Sequence, residues 1–198
     1  MKKIETIWHH ILYNSLEKKQ YKYTQQGLAK EFGYSLSTVH HALKIPASLG
    51  AIRKTSKFFV LENFEKLLFY WASVRNLAKD IIYSTFLELP MIQLEGFVPA
   101  DSIYAGYSAA KKILGEAPAD YSKIYFYYPQ NKLDYLQKRL PPASKQANVF
   151  VLKLHPAMLQ YGSVTTLPQT FVDIWNLRDW YANDFTQSLE KKIHGLLS

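Results

Sequence analysis

Residues 24–43 carry two short helical patterns separated by a single glycine, and that spacing leaves little choice of local geometry. Thr24 stands as an N-cap, its hydroxyl placed to satisfy an amide of the first turn, ahead of a helix over Gln25 to Phe32. Leu28, Ala29 and Phe32 face inward. Gly33 follows as a C-terminal stop, where left-handed backbone costs least. Ser35 is the next N-cap, and Leu36, Val39, Ala42 and Leu43 are expected as the buried stripe of a second helix. The geometry is that of a helix-turn-helix. Its general pattern asks for a small residue in the first helix, a glycine four positions on and apolar residues at set offsets. Leu28, Ala29, Phe32, Gly33, Tyr34, Val39 and Ala42 meet it.

The flanks extend the pattern. Ile4, Ile7, Trp8, Ile11, Leu12 and Leu16 recur at helical spacing, so residues 2–18 are expected as an amphipathic helix with Lys and Glu outside. Tyr21 to Tyr23 is short and extended. Gly50 to Leu61 reads as strand, basic tip and strand. The stretch resembles a winged helix-turn-helix, as in many bacterial and archaeal regulators. The resemblance implies a second helix that enters the major groove with its N-terminal half toward base edges. Its outward positions are Ser37, Thr38, His40, His41 and Lys44, whose hydroxyl, imidazole and ammonium groups can bond bases or phosphates. Arg53, Lys54 and Lys57 on the wing would touch backbone or minor groove. Thr24, Gln25 and Ser35, at the two helix starts, complete the candidate set of DNA contacts. Pro46 disagrees with a continuous second helix, because it removes a backbone donor and crowds the preceding turn. A stop or bend near Ile45 is expected, with Ala47 to Leu49 as a separate turn, which puts Ser48 outside the contact set.

Charge points to the same partner. Ten basic residues through Leu61 face only Glu5, Glu17 and Glu31, so +7 of the chain's net +8 falls in this segment. A basic head beside a near-neutral body suggests a polyanion, and double-stranded DNA is the expected partner. The alternatives are a merely solvated basic surface and a winged helix used for protein contacts.

From Glu62 to Ile82 the residues are helix formers, and Phe64, Leu67, Leu68, Trp71, Val74 and Leu77 make a wide apolar face. Packing within the chain is expected to cover it, with a homodimer as the alternative. No Gly/Ser/Pro linker appears, so a rigid junction is expected. Beyond Tyr83, Thr85 to Leu94 reads as extended and broken by Pro90, and Ile103 to Leu114 as a helix capped by Asp101 or Ser102 and stopped by Gly115. Lys123 to Tyr128 and Asn148 to Leu154 read as strands, with a helix over Asn131 to Leu140 stopped by Pro141 and Pro142. Pro168 to Trp175 and Asp179 to Leu197 read as helices. The expected fold class is α+β: a winged helix-turn-helix over 1–62, a connecting helix over 63–82 and an α+β domain over 83–198.

Three phrases carry a narrower resemblance. They are Leu67 to Leu77, Tyr107-Ser108-Ala109-Ala110, and Thr170 to Leu177 followed by Trp180 to Phe185. Together with the helix-turn-helix they look like archaeal relatives of the AbiEi antitoxins, the winged-helix halves of type IV toxin–antitoxin pairs. The likeness implies repression of its own operon at inverted repeats, a cognate toxin, and a body distantly related to nucleotidyltransferase folds.

The chemistry of that fold is not expected here. Metal-dependent nucleotidyl transfer needs paired carboxylates at a strand end, and the body has no Asp-x-Asp, Asp-x-Glu or Glu-x-Asp. Glu88 and Glu95 lack a glycine turn. The pairs His9-His10 and His40-His41 point about 100° apart on a helix and do not chelate one ion. Asp173, Asp179 and Asp184 are expected to cap helices or pair with Arg178. There is no Cys, no glycine loop for phosphate and no Gly-x-Ser-x-Gly elbow. No enzyme activity, cofactor or metal is therefore expected; a nucleic-acid-processing enzyme and a protein-interaction adaptor remain the rival classes. No apolar run reaches about eighteen residues, and a cytoplasmic protein is expected.

Overall fold

Eleven of the fifteen residues of the first helix, α1 (Lys3–Glu17), are buried, polar ones included. Ile7, Trp8, Ile11, Leu12 and Leu16 supply the expected apolar stripe. Glu5, expected outside, is 2% exposed, and its Oε2 accepts a hydrogen bond from Arg75 Nη1 at 2.7 Å. A guanidinium seventy residues away in sequence thus turns an outward position into an inward one. These observations come from a computed structural model that describes residues 1–140 and 146–198. The chain divides into two units, residues 1–75 with 196–198 and residues 76–195.

In the first unit β1 (Lys22–Tyr23), α2 (Gln25–Phe32), α3 (Leu36–Ser48), β2 (Ile52–Lys54), β3 (Phe59–Leu61) and α4 (Phe64–Val74) follow α1. The three strands form an antiparallel sheet in the order β1-β3-β2, in which Val60 is opposite both Lys22 and Arg53. Thr24 and Ser35 cap α2 and α3 through their side chains, and Gly33 closes α2 in left-handed backbone at φ 63°.

The second helix differs from expectation at both ends. It continues through Pro46 to Ser48 instead of stopping near Ile45. Proline at 46 deprives the Ala42 carbonyl of its helical donor, and the Trp8 indole Nε1 from α1 donates to that oxygen at 2.7 Å. An interhelical hydrogen bond stands in for the missing intrahelical one, so the helix tolerates its proline. At the other end the buried stripe is Val39, Ala42, Leu43 and Pro46, whereas Leu36 is 50% exposed.

The connecting helix is shorter than its composition suggested. α4 ends at Val74, Arg75 is extended, and only a 3-10 turn over Leu77–Asp80 separates it from β4 (Ile81–Thr85). The β-branched and aromatic run Ile81-Ile82-Tyr83 belongs to a strand because it pairs with β7 (Val149–Lys153), and ladder formation outweighs local helix preference. Phe64, Leu67, Leu68 and Trp71 are buried within the first unit, which α4 joins through contacts with α1 and α3.

In the second unit the strand order is β4-β7-β6-β5, with β5 at Ile103–Ala105, β6 (Ile124–Tyr128) parallel to β7 and the outer pairs antiparallel. Every residue of β6 is buried. Ile124, Phe126 and Tyr128 join one core with Leu94, Leu136, Val149 and Val151. On the opposite side, the Tyr125 ring lies 6.0 Å from that of Tyr107, and Tyr127 OH donates to Asp173 Oδ2 at 2.7 Å. A strand covered on both faces explains the unbroken β-prone run.

The segment expected as extended from Thr85 to Leu94 instead contains α5 (Met91–Gly96), entered through Pro90. The segment expected as one helix from Ile103 divides into β5 (Ile103–Ala105) and α6 (Gly106–Leu114). Gly106 makes the corner at φ +56°, where a Cβ would stand 3.0 Å from the Tyr125 ring. α7 (Leu133–Arg139), α8 (Leu167–Trp175) and α9 (Ala182–Leu197) complete the unit. The Pro141-Pro142 stop lies outside the described residues. Of the aspartates expected to cap helices or pair with Arg178, Asp179 accepts from Tyr107 OH at 2.9 Å and from Lys123 Nζ, and Asp173 accepts from Tyr127 OH.

Candidate nucleic-acid interface

The beginnings of α2 and α3 and the turn between β2 and β3 enclose an open groove of about 610 Å³. Thr24, Gln25 and Gln26 line it from α2, Leu36, Ser37 and His40 from α3, and Thr55 to Phe58 from the turn. Each wall follows from local chemistry. Thr24 Oγ1 accepts from the Gly27 amide at 2.9 Å, and Ser35 Oγ accepts from the Thr38 amide at 3.2 Å. Both caps stand at helix N-termini, which carry a partial positive charge that suits anions. The turn is pinned by Thr55, whose amide donates to Phe58 O at 2.8 Å while its Oγ1 accepts from the Phe58 amide at 3.1 Å.

The groove gathers Thr24, Gln25, Ser37, His40 and Lys57 of the candidate residues. Ser35, Thr38, His41, Lys44, Arg53 and Lys54 lie outside its lining. His41 and Lys44 are exposed elsewhere on α3. Thr38 is tied to Ser35 through their hydroxyls at 2.9 Å, which makes it part of the cap. Arg53 Nε is paired with Glu62 Oε1. Gln26, Leu36, Thr55, Ser56 and Phe58 were not anticipated. Gln26 could have been found, since it adjoins Gln25 in the first turn. Phe58 holds a further cation in place, with Lys22 Nζ 3.9 Å from its ring centroid.

Beneath this surface the unit holds two buried histidines. His9 packs 5.9 Å from the Trp71 ring, and burial, then the neighbouring His10, lowers its pKa to about 3. Burial, then Lys18, lowers the pKa of His10 to about 4, so both imidazoles are neutral near pH 7. His10 Nε2 lies 2.7 Å from Asn14 Nδ2 and Nδ1 lies 3.3 Å from Glu31 Oε1. A neutral ring with its proton on Nδ1 satisfies both contacts, so His10–Glu31 is a hydrogen bond to a carboxylate rather than an ion pair.

Among the described residues no group of three or more His, Asp or Glu side chains comes together as a metal ion would require. Glu95 accepts from Tyr121 OH and from Lys111 Nζ at 3.1 Å. A second groove, of about 560 Å³, lies between Phe97–Asp101 and the Tyr128–Arg139 segment. Its Lys132 and Asp101 are paired at 2.6 Å and offset each other's charge. Among the described residues no helix is long and apolar enough to cross a membrane. Comparison with family models, with curated proteins and with solved structures finds no match.

Proposed function

We propose that this chain is a sequence-specific regulator that binds duplex DNA through a winged helix-turn-helix in its first unit. The observation that carries the reading is the groove itself. Capped N-terminal turns of α2 and α3 and the tip of a two-stranded turn face one opening, with Ser37, His40, Gln25 and Lys57 around it. In this reading α3 lies in the major groove, the β2–β3 turn meets backbone, and the +7 segment supplies counterion release. The body is then a binding or assembly domain and not an enzyme, and the site of action is the cytoplasm. The resemblance to AbiEi antitoxins narrows the reading to an autorepressor acting at inverted repeats and paired with a nucleotidyltransferase-like toxin. A neighbouring gene of that kind would favour the narrower form, and its absence would count against it.

Titration of the full chain with duplex DNA at several salt concentrations tests the core of the proposal. Phosphate contacts by five cations give a log–log slope of about −4 to −5. A flat salt response, or undiminished binding after Lys57 and Lys22 are both replaced by Glu, would overturn it.

A further inference from the structure

Leu36 is an apolar side chain in a groove whose lining is otherwise polar except for Phe58. It opens α3, stands 50% exposed, and lines the groove with Ser37, His40 and the two glutamines of α2. Of the first unit's exposed large apolar side chains, Tyr21, Ile45, Leu49, Val74 and Leu196 all lie outside this groove. The other apolar wall residue, Phe58, is half-buried and covered by the Lys22 ammonium.

We infer that Leu36 reads thymine, through contact with the C5-methyl group displayed in the major groove. The inference rests on the reading of the first unit as a duplex-binding winged helix. It follows from what each side chain at the opening can recognise. Hydroxyl, imidazole and amide groups take donors and acceptors on base edges, and an isobutyl group takes neither. Among the four base pairs the thymine methyl is the one apolar group on the major-groove edge. The first turn of α3 is also the part of such a helix that comes nearest to bases. α3 buries Val39, Ala42 and Leu43 and leaves Leu36 half open, so its remaining apolar surface leaves water only when something enters the groove.

The test uses the full chain. Preferred duplexes are enriched from a randomised library, and each thymine in them is then replaced singly by deoxyuridine, which lacks only the methyl. One position is expected to lose about three- to five-fold in affinity, the worth of one buried methyl. Leu36→Ala should lose a similar factor on the parent duplex and become indifferent to deoxyuridine at that position. Leu36→Met, which keeps an apolar reach, should retain the sensitivity. If no thymine position responds, or if Leu36→Ala still distinguishes thymine from deoxyuridine, the assignment to Leu36 falls while the DNA-binding reading stands. If the chain binds no duplex in a salt-dependent manner, both fall together.

Discussion

Two His-His pairs lie on helices of the same unit and meet opposite surroundings. His9 and His10 on α1 are buried against the rings of Trp71, Tyr23 and Phe32. His40 and His41 on α3 are exposed to solvent. The contrast extends to the rest of each helix. α1 turns Glu5, Asn14 and Ser15 inward, with Arg75, His10 and the Leu12 carbonyl as partners, whereas α3 turns Ser37 and Lys44 outward. A buried polar group is stable only when something satisfies it, so the inward set is spent on holding the unit together. The outward set is what remains for another molecule.

The strongest way to break this contrast is through the Glu5–Arg75 pair. Glu5→Gln leaves a buried guanidinium without its carboxylate and should destabilise the fold by about 3 to 5 kcal/mol, whereas Ser37→Ala should stay within about 0.5 kcal/mol. Urea midpoints of the two variants decide it; equal midpoints would mean that inward and outward polar residues are energetically alike. Acid probes the buried histidines next. Their folded pKa values, about 3 and about 4, lie below the ordinary 6.5, so below pH 6.5 the unfolded chain binds protons that the folded one refuses. Their contribution is fully present above pH 6.5 and is lost as pH falls toward 4, at about 1.4 kcal/mol per pH unit for each ring. His9→Phe should remove about half of that slope between pH 6.5 and 5, measured as unfolding free energy against wild type.

A smaller effect tests the contact between the two helices. Trp8→Phe keeps an aromatic side chain but loses part of the buried indole's packing and the donor to the Ala42 carbonyl, the lost hydrogen bond alone costing about 1 to 3 kcal/mol. In a Pro46→Ala background the helix regains its own amide, so the same substitution should cost less. A double-mutant cycle with no coupling beyond about 0.5 kcal/mol would show that the indole does not stand in for the missing amide. The smallest effect sharpens the outward side. His40 lines the groove and His41 does not, so His40→Ala should narrow the gap between preferred and random duplex by about 1 kcal/mol, and more than His41→Ala. Lys57→Ala should weaken both duplexes alike and reduce the salt slope by about one unit. Competition binding against both duplexes separates these outcomes.

What could be read from residue order is whatever is decided within one turn of chain. The caps at Thr24 and Ser35 and the stop at Gly33 were legible because each bond spans three or four residues. The strands at Ile124–Tyr128 and Val149–Lys153 were legible because burial on both faces demands an unbroken apolar run. Long-range partners were not. Nothing near Glu5 announces Arg75, nothing near Pro46 announces Trp8, and nothing near Ile81 announces the ladder that Val149–Lys153 offers. The outward residues of α2 and α3 were legible, but not which of them would share a groove with the turn at Thr55–Phe58. Leu36 was misread because its spacing matches the buried stripe while its surroundings end before it.

The bond from Trp8 to the Ala42 carbonyl also makes mutation history directional. That oxygen has two lone pairs, so position 46 can change from proline to alanine first and share the acceptor without loss. Position 8 has no such freedom while proline remains at 46, since losing the indole first strands a buried carbonyl. Descendants of this sequence should therefore reach a tryptophan-free α1 by way of a proline-free α3, and seldom by the reverse route.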